Sequence, residues 1–385
     1  VARVVAVLVV ALFAGLGLTA CAPKRVVMVY GDSLVWESQG DITWQMGDAY
    51  DTRVVSLGGT ALCDYADQIV ADAWTIRPSL VVVAFTGNAF TECMQPPAGR
   101  LNDAAWQGEK YGADLTVLLD RLAPTGVPSI VVSPPPALHR VLPDEPTAEA
   151  AAAAAAASPI VLPEVWALGQ RPDGFVSTEV VVAPVYRDVV ASARARGRDT
   201  MLIDGGRLLR APDGGWTKVA RCLPFESAEW GCRDGLIDVR GPDLGHFCTQ
   251  AAYGPEGVVA GCGIWSSGEW RYSTAITEAA RFRLVGTTGS LDVVTGGPGT
   301  VTVAGWALDP RTGSDPTAVH VYVDRTGVAL PADGSRPDVG AVYPLAGDGH
   351  GFAATVAAAA GPHQVCVFAI GAPNVQLGCV GVTVS

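Results

Sequence analysis

The sequence predicts two folded units, an α/β domain with a mainly parallel sheet followed by an all-β sandwich. Three observations carry this. From residue 25 to about 285, short β-rich apolar runs alternate with helix-like segments. Those runs are apolar on successive residues, as in strands buried on both faces of a parallel sheet. From Gly289 the helix signal stops, and short β-rich segments follow one another between Gly, Pro, Asp and Asn turns. The 385 residues suffice for two to three domains. Hydrophobic residues make up 49% and charged residues 17%, which excludes wholesale disorder. Lys+Arg is 26 against Asp+Glu 38, a net charge of −12. A non-specific nucleic-acid binder needs a basic surface, so nucleic acid is excluded as a partner.

The first segment, Val4 to Thr19, is apolar or small throughout and follows Arg3. It is short for a membrane-spanning helix, which needs roughly twenty residues. It fits the apolar region of a signal peptide, residues 1–20. Leu18-Thr19-Ala20-Cys21 then resembles a bacterial lipobox. That resemblance implies that Cys21 is lipidated and holds the mature protein on the outer face of the cell membrane. Nine cysteines occur, an odd number. Giving Cys21 to lipid leaves eight, an even set suited to an oxidising compartment. Pairing neighbours in sequence gives Cys63–Cys93, Cys222–Cys232, Cys248–Cys262 and Cys366–Cys379, one of the 105 possible connectivities. No C-x-x-C occurs, so no zinc site or other metal is expected.

Arg25 to Tyr30 reads as the first strand, Asp64 to Ile76 as a helix and Leu80 to Phe85 as a buried strand. Ala113 to Leu122 reads as an amphipathic helix, and Pro128 to Ser133 as a further strand. Residues 134–185 read as an insertion. They open on three prolines and carry eight alanines at 150–157. Tyr186 to Arg196 is a helix, Thr200 to Asp204 a strand and Ser273 to Phe282 a last helix. The boundary falls near 286–289, so residues 21–288 form the first domain and 289–385 the sandwich.

The first strand runs into Gly31-Asp32-Ser33-Leu34. A serine at the carboxyl end of a parallel strand faces the crevice where open α/β sheets bind ligands. A helix starting there would favour negative charge near Ser33. The plainer alternative makes Asp32 or Ser33 only a helix N-cap. A nucleophilic serine needs a base, and the base an orienting group. Asp243-Leu244-Gly245-His246 supplies both, the carboxylate fixing the imidazole tautomer. His139 has no carboxylate close before it. The oxyanion of acyl transfer needs donors. The Ser33 N–H is one, the loop Ser56-Leu57-Gly58-Gly59-Thr60 offers a second, and Asn88 in Thr86-Gly87-Asn88 a third. Trp36 and Trp44 are candidates to stack a sugar ring or to pack in the core.

This constellation resembles the SGNH/GDSL hydrolase superfamily, whose name records the Ser, Gly, Asn and His of four sequence blocks. Here these are Ser33, Gly59 (with Gly58 as the alternative), Asn88 and His246, with Asp243 as the orienting acid. The resemblance implies a flavodoxin-like three-layer α/β/α fold. It further implies ester hydrolysis through an acyl-enzyme, with Ser33, Gly59 and Asn88 as oxyanion hole and no cofactor. The second block departs from the pattern, carrying Ser56 in place of the common Asn. The segment 305–352 is similar to a β-sandwich module appended to actinobacterial cell-wall amidases, which implies contact with the cell wall. His320, His350 and His363 read there as turn or surface residues. The expected function is an exported esterase that removes acyl groups from cell-envelope glycans or glycolipids. The alternatives are an O-acyltransferase with the same triad and a sugar hydroxyl as acceptor, or a non-catalytic glycan-binding lipoprotein.

Overall fold

Five runs of β-branched and aliphatic residues set the first layer. In the computed structural model they form one parallel sheet of β1 (Arg25–Gly31), β2 (Tyr50–Ser56), β3 (Leu80–Ala84), β4 (Ser129–Ser133) and β5 (Thr200–Asp204). The structure describes residues 23–140, 175–177, 179–241, 244–248, 253–254, 257–258, 262 and 265–385. Strand order is β2-β1-β3-β4-β5. That is the flavodoxin-like doubly wound order, which reverses direction between β1 and β3.

Both sheet faces are covered, because strand side chains alternate sides. Met28, Tyr30, Val81, Val83 and Val131 face one layer. It consists of α2 (Leu62–Thr75), α3 (Ala104–Leu122) and α4 (Glu179–Ala195). Val27, Val29, Val82, Ile130 and Val132 face the other. That side carries α1 (Ser33–Met46) and α5 (Ser267–Val285). The domain is therefore a three-layer α/β/α sandwich.

The structure departs from the sequence reading in five places. α1 and β2 had no reading of their own. α3 begins nine residues earlier than expected, where the Asp103 carboxylate accepts from Trp106 N at 2.9 Å and caps the helix. α5 runs six residues further back than the helix read from Ser273, capped by Ser266 Oγ on Glu269 N at 3.3 Å. α4 begins at Glu179, inside the segment assigned to the insertion. Val182 is buried in the core there, and Val185 lies against Gly112 of α3. The alanines at 150–157 lie outside the described residues, as do residues 1–22. Among the described residues no helix is long and apolar enough to cross a membrane.

The C-terminal region is a sandwich of two antiparallel sheets. Its strands are β6 (Thr288–Gly297), β7 (Thr300–Leu308), β8 (Thr317–Val323), β9 (Thr326–Ala332), β10 (Gly349–Ala357), β11 (Gly361–Ile370) and β12 (Val375–Val384). One sheet runs β6-β7-β10 with the short strand Gly334–Ser335, and the other β9-β8-β11-β12. Val301, Val303, Val319, Val321, Val365 and Val367 meet between them. Against the surface reading, His350 is fully buried, its Nε2 2.9 Å from the Ala346 carbonyl. His363 Nδ1 meets the Asp324 carboxylate at 2.7 Å.

The two units share an apolar seam. Phe282 of α5 packs with Leu308, Val339 and Ala346 of the sandwich, and Met201 of β5 joins them. Removing residues 289–385 would therefore expose Phe282 to water.

All four sequence-neighbour cysteine pairs are bonded: Cys63–Cys93, Cys222–Cys232, Cys248–Cys262 and Cys366–Cys379. Cys21 lies outside the described residues.

Candidate active site

β1 and β3 are adjacent, so their carboxyl ends open on one crevice. The chain leaves β1 at Gly31. A Cβ there would lie 2.2 Å from Val35 Cγ2 and 2.6 Å from the Ala84 carbonyl, so only glycine lets α1 start this close. Ser33 is the first residue of α1. Its backbone N–H is one of those a helix cannot satisfy internally.

Asp32 before it is fully buried and caps α1 through Oδ1 on Leu34 N at 3.3 Å. Its other oxygen accepts from Thr86 N at 2.6 Å, Thr86 Oγ1 at 2.7 Å and Asn88 Nδ2 at 3.2 Å. Burial pushes this carboxyl's pKa up, while the Thr86 and Leu34 donors and His246 pull it down. Asp32 is thus an N-cap, and it also ties the nucleophile turn to the end of β3.

Asn88 is held from behind as well. The Tyr111 hydroxyl donates to its carbonyl at 2.8 Å, and the Tyr186 hydroxyl donates to the Phe85 carbonyl at 3.1 Å. The Asn88 side-chain amide also donates to the Thr60 carbonyl at 3.1 Å, which anchors the glycine loop. In that loop Gly59 is at φ +80°, the left-handed region that favours glycine. Gly58 is the nearer of the two to Ser33, since a Cβ on it would stand 3.7 Å from Ser33 Cβ.

His246 arrives on a loop and not on a regular element. Its Nε2 stands 2.9 Å from Ser33 Oγ, within hydrogen-bond reach for proton transfer. The loop closes on itself through Gly241 N to the His246 carbonyl at 2.7 Å. A Cβ on Gly241 would lie 2.3 Å from the Cys248 carbonyl. Leu244 is buried at φ +67°, a conformation that costs a branched side chain energy.

Neighbours hold that shape. Glu37 of α1 is buried and accepts from Phe247 N at 2.8 Å. Arg240, only 1% exposed, donates to the Pro136 carbonyl at 2.5 Å and lies 4.9 Å over the Phe247 ring. Trp216 Nε1 donates to the Leu244 carbonyl at 3.2 Å, and Ser266 Oγ donates to the Phe247 carbonyl at 2.8 Å. The Cys248–Cys262 bridge closes the far side.

A cleft of about 230 Å³ opens over these groups. Ser33, Asn88 and His246 line it, with Phe90, Pro135 and Ala137 as apolar wall. Phe90 is 84% exposed. Of the site residues named from sequence, Ser33, Asn88 and His246 thus meet in one cleft, with the Gly58-Gly59 loop bonded to its edge. Asp243 lies outside the described residues. His139 falls on the short strand Leu138–Arg140, whose side chains are also outside them.

The bracing residues Glu37, Thr86, Tyr111 and Arg240 were not anticipated. Glu37 had a signal: it stands four residues after Ser33, hence on the same face of a helix starting there.

No family model matches the sequence, and no curated protein matches it. Solved structures with a similar chain path include a lipase/acylhydrolase from Enterococcus faecalis, 15% identical, covering 51% of this chain and 88% of that one, TM-score 0.28. A GDSL-like lipase from Bacteroides thetaiotaomicron is 11% identical over 57% and 82%, TM-score 0.30. A catalytic mutant of an acetylxylan esterase from Geobacillus stearothermophilus is 10% identical over 47% and 76%, TM-score 0.28.

Proposed function

We propose that this chain is a serine ester hydrolase working through an acyl-enzyme on acylated cell-envelope glycans or glycolipids. The observation that carries the reading is the 2.9 Å contact between Ser33 Oγ and His246 Nε2 inside a cleft at the sheet's carboxyl edge.

His246 takes the Ser33 proton as the oxygen attacks the ester carbonyl. The tetrahedral oxyanion is met by the Ser33 N–H at the start of α1 and the Gly59 N–H, and by the Asn88 amide once it gives up its 3.2 Å bond to Asp32. His246 then passes its proton to the leaving alcohol. A water, deprotonated by the same imidazole, releases the acid and restores Ser33. Asp243 is the proposed orienting carboxylate.

The described walls enclose less than the roughly 300 Å³ at which drug-sized pockets begin, which suits a short acyl group. Four disulfides suit an oxidising compartment. Within the same proposal, acyl chains on Cys21 hold the protein to the outer face of the membrane, and the sandwich contacts the wall.

The test is turnover of p-nitrophenyl acetate beside labelling by a fluorophosphonate probe. Wild type should turn over the ester and carry the label on Ser33, located by peptide mass. Ser33→Ala should lose both while keeping its melting temperature. An unlabelled Ser33, or full turnover by the variant, overturns the reading.

A further inference from the structure

The molecule carries a second and larger cleft that the proposed chemistry leaves unused. It measures about 630 Å³ and is lined by Trp230, Trp265, Glu229, Arg233, Asp238 and Ser267 among others. None of these lines the catalytic cleft. The volume falls in the range typical of small-molecule sites, roughly 300–1,000 Å³.

An array of aromatic rings borders it. Trp230 and Trp265 stand 4.4 Å apart between centroids, and Trp265 and Trp270 5.3 Å. Phe225 joins all three, and Trp44 of α1 continues the row at 5.3 Å from Trp270. Core packing does not account for them. Trp44 is 71% exposed, Phe225 49% and Trp230 42%. The Trp265 indole N–H is enclosed yet has no hydrogen-bond partner among the described residues. A purely structural tryptophan at this depth normally finds an acceptor.

The array is also rigid. Phe225 and Trp230 lie inside the loop closed by Cys222–Cys232. Cys232 N donates to the Ser227 carbonyl at 3.0 Å, and the buried Glu226 accepts from Leu223 N at 2.6 Å. Solvent-facing aromatic rings held stiffly cost little entropy when a ligand lands on them.

We infer that this cleft binds a carbohydrate chain, stacking sugar rings on Trp230 and its neighbours and hydrogen-bonding hydroxyls to Glu229, Arg233 and Asp238. Sugar rings have apolar C–H faces and hydroxyl edges, matching aromatic faces flanked by carboxylates and a guanidinium. An acyl chain fits worse, because it would strip water from three charged groups and return no hydrogen bonds.

The cleft is mechanically joined to the proposed catalytic centre. Trp265 precedes Ser266, whose hydroxyl donates to the carbonyl of Phe247, the neighbour of His246. The inference deepens the esterase reading by naming where a glycan would be held. Binding does not require turnover, so the two stand or fall separately.

The experiment uses full-length protein with Ser33→Ala, titrated with chitotetraose, xylotetraose, maltotetraose and arabinotetraose by tryptophan fluorescence and calorimetry. At least one should saturate at millimolar concentration or below. Trp230→Ala should weaken that binding about tenfold, the scale of one lost aromatic contact, and Trp230→Phe should restore part of it. Arg233→Ala should weaken it severalfold. Unchanged melting temperatures establish that the variants are folded. Silence from all four sugars, equal affinity in Trp230→Ala, or a fluorescence response to phosphatidylglycerol vesicles in place of sugars each overturns the inference. If Ser33 takes no fluorophosphonate label but the sugar still binds, the esterase reading fails and this one stands.

Discussion

Two regions meet at the 2.9 Å contact between Ser33 and His246, and they are built differently. The serine side is regular structure. β1 ends, Gly31 allows the turn, and α1 begins on a buried cap. Local sequence dictates most of that geometry. The histidine side is irregular. Its loop has a buried leucine at positive φ, and His246 itself lies on no strand or helix. Distant residues hold it, from α1, from the turn after β4 and from the residue that caps α5. On one side regular elements set the geometry and Asp32 ties them to the end of β3, and on the other tertiary contacts shape an irregular loop. The two sides should therefore respond differently to damage.

The largest effect comes from the histidine. His246→Ala removes the proton acceptor and leaves the braces in place. Ester turnover should fall by about a thousandfold or more. The melting temperature should stay near wild type, because His246 is only partly buried. Turnover within tenfold of wild type would break the comparison at its centre.

The second test leaves the imidazole and removes a brace. Glu37→Ala strips the acceptor from Phe247 N, and an unpaired buried N–H costs about 1–3 kcal/mol. We expect kcat to fall roughly ten- to hundredfold with KM nearly constant, on the sensitivity of such geometry to displacements near 1 Å. Glu37→Gln keeps an acceptor oxygen and should recover most of the loss. Thr86→Val, on the serine side, removes one of several donors to Asp32 and should do less. A larger loss in Thr86→Val than in Glu37→Ala reverses the assignment of the two sides.

A third test opens the loop covalently. Replacing Cys248 and Cys262 together by alanine unties a bridge with a sequence separation of 14. Such a loop is worth about 3 kcal/mol in the chain-entropy account. Turnover should drop severalfold and the melting temperature should fall with it. Unfolding in urea, followed beside activity, checks both.

The same division governs what could be read from sequence. β1, β3 and β4 are legible because both faces are buried and nearly every residue is apolar. α1 is not, and α5 was read only from Ser273 onward, because both bury polar side chains. Glu37 and Ser38 on α1, and Glu269, Arg271, Ser273 and Thr277 on α5, are all buried. They leave no clean apolar stripe to count. β2 is an edge strand with only partly buried residues, so its alternation is faint. At the site, the residues expected to do chemistry could be found because serine after a strand and histidine near a carboxylate are rare patterns. The bracing residues could not, since Arg240 and Trp216 act on backbone carbonyls, and no spacing rule marks that. The Trp cleft was half legible: Trp44 drew notice, while Trp230, Trp265 and Trp270 are brought beside it only by the fold.

The smallest expected effect concerns pH, and it reaches the brace from the α5 side. Glu269 lies in the first turn of α5. Burial first, then the charges of Asp41 and Glu37 on α1, raise its pKa from 4.5 to about 8. Asp41 is itself raised from 3.8 to about 6 by burial. A carboxyl whose pKa rises on folding holds its proton more tightly when folded. Its contribution is complete below pH 4.5, where both states are protonated, and declines as pH climbs to about 8. Over that window the folded protein should lose stability with rising pH, with Asp41 adding to the lower part. Glu269→Gln keeps the shape and removes the titration. Its melting temperature should change less than wild type's between pH 5 and 8, and should exceed wild type's at pH 8. Ionised Glu269 also repels Glu37, the acceptor of Phe247 N, so wild-type turnover should soften near pH 8 more than that of the glutamine variant. Identical melting curves for the two proteins across this range would detach Glu269 from the histidine loop and leave Glu37 as its sole carboxylate brace among the described residues.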